Sequence, residues 1–505
     1  MLTVHLRVND AATGRPTPAR VRITGPNGEY FAPFGRLAEF ATGRGEEVGG
    51  NLLLRADRWC AIDGNCEVRL PTGVPLTVEV QKGLEYAPLR REVALGAGQM
   101  ALRLAVERWS DLRAEGWYPG DTRCHFLPPH AAALEGAAED LAAVNVLAAA
   151  VHIPSINDGQ TYPALPNLLA FSGQSPAAGR DGCEVFVNTH NTHPVLGQLG
   201  LLNTHRVVYP LSFGGADETD DWTLADWCDQ CHRKKGLAVW TDYFASVGRG
   251  TEGEALADLV LGKVDAVELS FADRKLRPRI ADVYRLWSAG LSVPLAGGSA
   301  KDSNRVPLGA VRTYAQLPLG EPYSYAGWVE AVRAGRTFVT NGPLLRFAVN
   351  DHPPGATIDH DPAAPPLRLR AQATSRWPFD RLDLLAGGEE IGSAAAKSEG
   401  DTFSAVVELE WRPTASAWLA ARCHGRAVSP LDRQTPTVAH TSAVVARVGG
   451  RPPAQPAAVD ALLASLDRAR DWVEAAGRFG DPRSKDRLLG VLAEASQTLL
   501  ARRCG

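Results

Sequence analysis

The chain has 505 residues, 45% hydrophobic and 22% charged, with 53 basic side chains against 57 acidic ones and a formal net charge of −4. That length exceeds a single core, so about two to four domains are expected, and the composition is that of an ordinary globular protein. With no Lys/Arg block and no apolar run of the roughly 18 residues a membrane helix needs, neither nucleic acid nor a membrane is an expected partner.

The opening MLTVHLRVND lacks the basic start, apolar core and small-residue cleavage site of a secretory leader. A cytoplasmic location is expected, or a periplasmic or secreted one if a leader was removed. The eight cysteines are few and irregularly spaced, so reduced thiols are expected rather than a disulfide framework.

Residues 1–108 alternate apolar and polar positions in LTVHLRV, ARVRITG, CEVRLP, PLTVEV and ALRLAV, punctuated by Gly, Pro and Asn. Period-two patterning of this kind predicts an antiparallel β-sandwich. From 109 to 345 the pattern changes. AAALEGAAEDLAA reads as a helix and VNVLAAAVHI as a strand covered on both faces. WTLADWCDQCHRKKG precedes LAVW, GEALADLVLG precedes VDAVELS, RIADVYRLWSAG precedes SVPLAGG, and YAGWVEAVRAG precedes TFVT. Each helix ends on a glycine suited to a left-handed C-cap and leads into a short apolar strand. Repeated helix–strand alternation predicts a parallel α/β barrel whose chemistry lies where strands end. Residues 346–449 return to β patterning as a second sandwich. Residues 450–505 form a linker and a helical hairpin, whose apolar stripe must bury itself against the barrel or another subunit, so a homo-oligomer is compatible.

Several polar residues follow apolar strands: Asp121, Arg123 and His125 in GDTRCH, His152 in AAAVHI, Glu184, Asn188, His190 and His193 in GCEVFVNTHNTH, Asp242 in LAVWTDY, Glu268 in DAVELS, and Lys301 and Asp302 in SAKDSN. Imidazoles and carboxylates in this setting suit zinc, manganese or iron, which turn water into a nucleophile near neutral pH. For any one of them the alternative is that it caps a helix or satisfies a loop backbone. Cys228-Asp-Gln-Cys231-His232 has the spacing of half a zinc site. It lies within a helix and lacks a second Cys pair, so a buried stripe with Trp227 is the expected reading.

GWYPGDTRCHF, GGSAKDSNRVPLGAVRTY and WVEAVRAGRTFVTNGPLL resemble segments of the CehA/McbA-like metallohydrolases, a family of the PHP (polymerase and histidinol phosphatase) superfamily. The resemblance covers about residues 1–449 and implies a distorted (β/α)7 barrel with two or three divalent ions, flanked by β domains. The activity implied is metal-dependent hydrolysis. Superfamily members cleave phosphoesters, and the name-giving ones cleave an aryl carbamate.

Against the family pattern, Asp-x-His-x-His keeps Asp121 and His125 but has Arg123 at its centre. An Asp-His pair becomes Val151-His152, a Gly-His-Leu step places Gln198 at its centre, a strand-end His becomes Asp242, and a late Gly-Ser-Asp-x-His motif leaves Asp302 displaced with no His. The resemblance therefore implies fewer ions than its relatives hold, or none. Asp121, His125, His152, Glu184, His190 and Asp242 are the candidate ligands. Asp121, Arg123 and Lys301 are the candidate catalytic groups, and Arg123, His193, Gln198 and Asp302 the candidate substrate contacts. Two readings stay open. One is a hydrolase of a small ester, phosphoester or carbamate. The other is a catalytically degenerate barrel that binds an anionic or carbohydrate-like small molecule. Arg123 either grips an anion where an ion once sat or pairs inertly with Asp121 or Asp242.

Overall fold

Alternation does build the N-terminal region. Val4, Leu6 and Val8 on one strand, and Leu102, Leu104 and Val106 on another, turn inward from a three-stranded sheet. A five-stranded sheet supplies Val21, Ile23, Val78 and Val80 to the same core. The computed structural model describes residues 1–46, 49–154, 161–214, 218–241, 253–269, 276–429, 431 and 435–504.

The middle of the chain forms a curled sheet. Its strands are β1 (Trp117–Cys124), β2 (Ala143–Ala149), β3 (Cys183–His193), β4 (Gly197–Leu202), β5 (Leu237–Trp240), β6 (Ala266–Leu269), β7 (Leu295–Gly297), β8 (Arg312–Gln316) and β9 (Thr337–Thr340). They lie in the order β7-β6-β5-β4-β3-β2-β1-β8-β9. β1, β2, β3, β5, β6, β7 and β9 run one way, while β4 and β8 run against them. Every residue of β2, β5 and β6 is buried, as strands covered on both faces require.

The β7 end turns back toward the other side of the sheet through side-chain bonds. Gly297 N donates to Thr313 Oγ1 at 2.6 Å, and the Thr337 hydroxyl donates to Leu295 O at 2.7 Å. A single parallel bridge joins Cys124 to Lys301. The carboxyl ends of β1 and β7 thereby lie side by side on one rim of the sheet, the mouth.

Helices α1 (Pro129–Ala138), α2 (Leu224–Arg233), α3 (Gly253–Val260), α4 (Leu276–Ser288) and α5 (Tyr325–Arg333) lie among these strands in the chain. Thr223 and Asp226 start α2 with a capping box. The expected left-handed glycines hold at Gly262, Gly290 and Gly335. After α2, however, Lys235 takes the positive φ of 60°. Gly236 serves close packing instead, since a Cβ there would sit 2.5 Å from Thr204 Cγ2 and 2.6 Å from Cys231 Sγ. Trp227, Cys228 and Cys231 are fully buried, as the stripe reading required, and the seven cysteines up to Cys423 are free thiols.

Beyond β9 the sheet does not stop. β10 (Arg381–Ala386), β11 (Ala417–Val428) and β12 (Pro436–Thr441) continue it in the order β9-β12-β11-β10. A separate four-stranded sheet, beginning with Leu344–Val349, packs on this extension around Phe347, Leu369, Leu384 and Leu419. Of the two packed C-terminal β layers, one thus continues the sheet of the middle region and the other is separate from it.

Helices α6 (Pro456–Ala475) and α7 (Pro482–Cys504) form the hairpin. Its stripe, including Val459, Leu462, Leu466, Leu488 and Leu492, is buried with Leu256 and Leu259 of α3 and Leu286 and Trp287 of α4. The face expected to seek the barrel or a second copy is met within the chain. No helix is long and apolar enough to cross a membrane among the described residues.

Candidate functional site

Asp121 lies at the start of the mouth and is fully buried. Its Oδ1 accepts Arg123 N and Ser299 N, both at 3.0 Å, and its Oδ2 accepts Gly309 N at 2.8 Å. Burial pushes this carboxyl upward while those bonds oppose the shift. Asp121 therefore ties β1 to the loops around β7 and β8, with both oxygens engaged.

Among the described residues the carboxylate that the Arg123 guanidinium meets is that of Glu268, not that of Asp121. Its Nε and one terminal nitrogen reach Glu268 Oε1 at 2.8 and 2.7 Å, and the Thr122 hydroxyl donates to Glu268 Oε2 at 2.8 Å. Glu268 has no exposed side-chain surface and Arg123 has 8%. A guanidinium thus neutralises a buried carboxylate from within the protein. Gly298 makes room for it, because a Cβ there would meet Arg123 N and Glu268 Oε2 at 2.9 Å.

His125 and His190 form the other half of the mouth, with ring centres 5.3 Å apart. His125 Nδ1 bonds Leu147 O at 3.1 Å, so that nitrogen carries the proton and Nε2 keeps its lone pair. His190 Nε2 lies 2.8 Å from Thr241 Oγ1, and the Thr241 hydroxyl donates its own proton to Gln198 O at 3.2 Å. The hydroxyl therefore accepts from His190, leaving the lone pair on Nδ1. Burial drives both imidazoles well below their ordinary value. The neighbouring ring and the Arg123 and Arg44 charges push His125 further down, and the same two arginines act on His190. Both rings are held neutral.

The remaining candidates disperse. Glu184 stands opposite Ala143 at the amino end of β3, six residues before His190 on the same strand. At about 3.3 Å per residue that is roughly 20 Å away, at the other end of the sheet. Lys301 turns toward α1, donating to Ser303 O at 3.1 Å and Val306 O at 2.9 Å, with Glu135 Oε2 at 3.5 Å. His193 accepts Val195 N and Leu196 N on Nδ1 and donates from Nε2 to Asp220 Oδ1 at 2.9 Å. Asp220 in turn receives Arg478 N at 2.7 Å, so His193 fastens the helical hairpin rather than facing a substrate.

Gln198 contributes its carbonyl to Thr241, and Asp302 faces Arg44 Nε at 3.4 Å. Asn188 belongs to an interior network, bonding Asn145 Oδ1 at 3.1 Å, while Asn145 holds Asp121 O at 3.0 Å. The His152 side chain and the whole of Asp242 lie outside the described residues, although His152 sits on the strand Val151–Pro154.

The structure thus brings together Asp121, Arg123, His125 and His190, and adds Thr241, Glu268 and Arg44. Glu268 was visible as a strand-end acid. Thr241 and Arg44 had no signal, because a threonine and a loop arginine resemble any others.

Two open imidazole nitrogens suit a divalent ion with Zn–N distances of about 2.0–2.1 Å. The bond from the far nitrogen of each ring is the kind that orients a metal-binding histidine. Among the described residues no group of three His, Cys, Asp or Glu side chains is set to hold an ion. The chain matches no protein-family model and no curated protein.

Proposed function

We propose that the curled sheet is a distorted (β/α)7 barrel of the PHP type, a divergent metal-dependent hydrolase reduced to one ion. It would act on a small ester, phosphoester or carbamate. The observation that carries this is the pair of neutral, tautomer-locked imidazoles of His125 and His190, each with a nitrogen that no described residue bonds. His152 and Asp242 are the sequence candidates to complete the ligand set.

When bound, zinc, manganese or iron supplies the charge that polarises a carbonyl or phosphoryl group and makes water nucleophilic near neutral pH. The chain's own residues do the rest. Leu147 O and the Thr241 hydroxyl fix the two rings. Asp121 holds the loops in register, and Arg123 neutralises Glu268 so that this carboxylate adds no uncompensated charge beneath the site.

A second reading has an observation of its own. The carboxylates that a multi-ion centre would use are committed, Asp121 to three backbone donors and Glu268 to Arg123 and Thr122. On that basis the barrel is degenerate and binds an anionic or carbohydrate-like molecule without cleaving it. Elemental analysis of protein purified without chelator separates the two. About one equivalent of Zn, Mn or Fe, lost in His125→Ala and His190→Ala, supports the hydrolase. Metal-free wild-type protein that stays metal-free when zinc is added supports the binding reading.

A further inference from the structure

The N-terminal β domain reaches into the mouth. Residues 41–46 lie along the loop after β7: Gly45 N donates to Asp302 O at 2.9 Å, and Asn304 Nδ2 donates to Ala41 O and Glu46 O at 2.8 and 3.0 Å. Arg305 Nε adds bonds to Thr42 O and Oγ1 at 3.2 and 2.9 Å. On its other side Gly45, at φ +75°, faces the Phe126 ring, which a Cβ on Gly45 would approach to 3.8 Å. Phe126 is itself left-handed, at φ 65°, and its ring centre lies 6.2 Å from that of His125. The segment is held between the loop and the ring beside the imidazoles, and Arg44 is part of it.

Arg44 and Arg123 differ in availability. Arg123 is buried against Glu268. The Arg44 side chain is 75% exposed, and its ion partner is Asp302, met by Nε alone at 3.4 Å. Among the described residues no hydrogen bond reaches its two terminal nitrogens. So exposed and single-pointed a pair contributes little, which leaves the guanidinium edge ready for two parallel bonds to an oxyanion.

We infer that Arg44 receives the negatively charged oxygen group, carboxylate or phosphate, of the molecule that enters the mouth, so that the N-terminal domain sets the specificity of the site. This rests on the mouth being the binding site, not on an ion being there. The test is calorimetric titration of inorganic phosphate into the full chain, with wild type, Arg44→Ala, Arg44→Lys and Asp302→Asn compared at one low salt concentration. Wild type should bind. Arg44→Ala should bind at least tenfold more weakly, Arg44→Lys should fall between, and Asp302→Asn should bind more tightly because it releases the guanidinium. Melting temperature and metal content should not change in Arg44→Ala. Equal phosphate affinity in wild type and Arg44→Ala, weaker binding in Asp302→Asn, or no binding by wild type would overturn the inference. Arg44-dependent phosphate binding by a metal-free protein would sink the one-ion hydrolase and leave this inference standing.

Discussion

The two halves of the mouth treat charge in opposite ways. On the side of β1 and β6 each buried ionic group described is answered: Asp121 by three backbone donors, Glu268 by Arg123 and Thr122. Beside it stand neutral imidazoles, His125 just past β1 and tied to β2, and His190 on β3 and tied to Thr241 just past β5, each with a second nitrogen that no described residue bonds. The lesson is that a carboxylate at a strand end does not by itself announce a metal. An internal arginine can take over the neutralising role, and what remains chemically open is the half where lone pairs face no described donor.

The largest expected effect comes from breaking the answered half. Glu268→Ala removes the carboxylate from a buried ion pair and should cost about 3–5 kcal/mol in denaturant unfolding. Adding Arg123→Met to Glu268→Leu should recover most of that loss, since two apolar groups replace a buried pair at little net cost. If the double variant is as unstable as the single one, the pair is doing something beyond neutralisation.

The open half is sharpened by Thr241→Val. This keeps the shape but removes the acceptor that fixes His190, and should weaken zinc binding by about 10–100-fold and, by leaving the buried Nε2–H unpaired, cost about 1–3 kcal/mol of stability. Zinc affinity equal to wild type would show that His190 is not held for a ligand role.

A smaller effect probes whether the rule of answered charges extends outside the mouth. On α3, Asp258 is fully buried and, among the described residues, neither carboxyl oxygen has a hydrogen-bond partner. Burial and nearby Glu254 push it well above the usual carboxyl range. One turn earlier Glu254 accepts Leu224 N and Ala225 N, and burial raises it to about 7 from 4.5. A carboxyl raised in the folded state contributes its stability below 4.5 and gives it up as pH climbs through about 7. Unfolding free energy should therefore fall between about pH 5 and pH 8 on account of this helix. Asp258→Leu should raise stability at pH 8 by about 1–3 kcal/mol and flatten that fall. An unchanged slope would mean the carboxyls find partners in solution.

Much of the fold was legible because burial leaves a periodic trace. Alternation marked the N-terminal strands, largely apolar runs marked β2, β5 and β6, and Gly262, Gly290 and Gly335 marked helix ends. What stayed hidden was pairing across distance. Nothing in DAVELS says that Glu268 answers Arg123, and nothing in GCEVFVNTHNTH says that Glu184 and His190 stand at opposite ends of one strand while His193 clamps a hairpin. His125 and His190 were visible as residue types, but their readiness depends on Leu147 O and Thr241, whose part in the site is fixed only by folding.

The unbroken ladder from β9 into β12 has a practical consequence for anyone shortening this chain. Phe338, Val339 and Thr340 pair with Thr441, His440 and Ala439, so ending the polypeptide near residue 345 would strip β9 of its neighbour and bare a row of backbone donors and acceptors. Such an open edge invites pairing between molecules, and the truncated product should aggregate unless a substitute strand covers it.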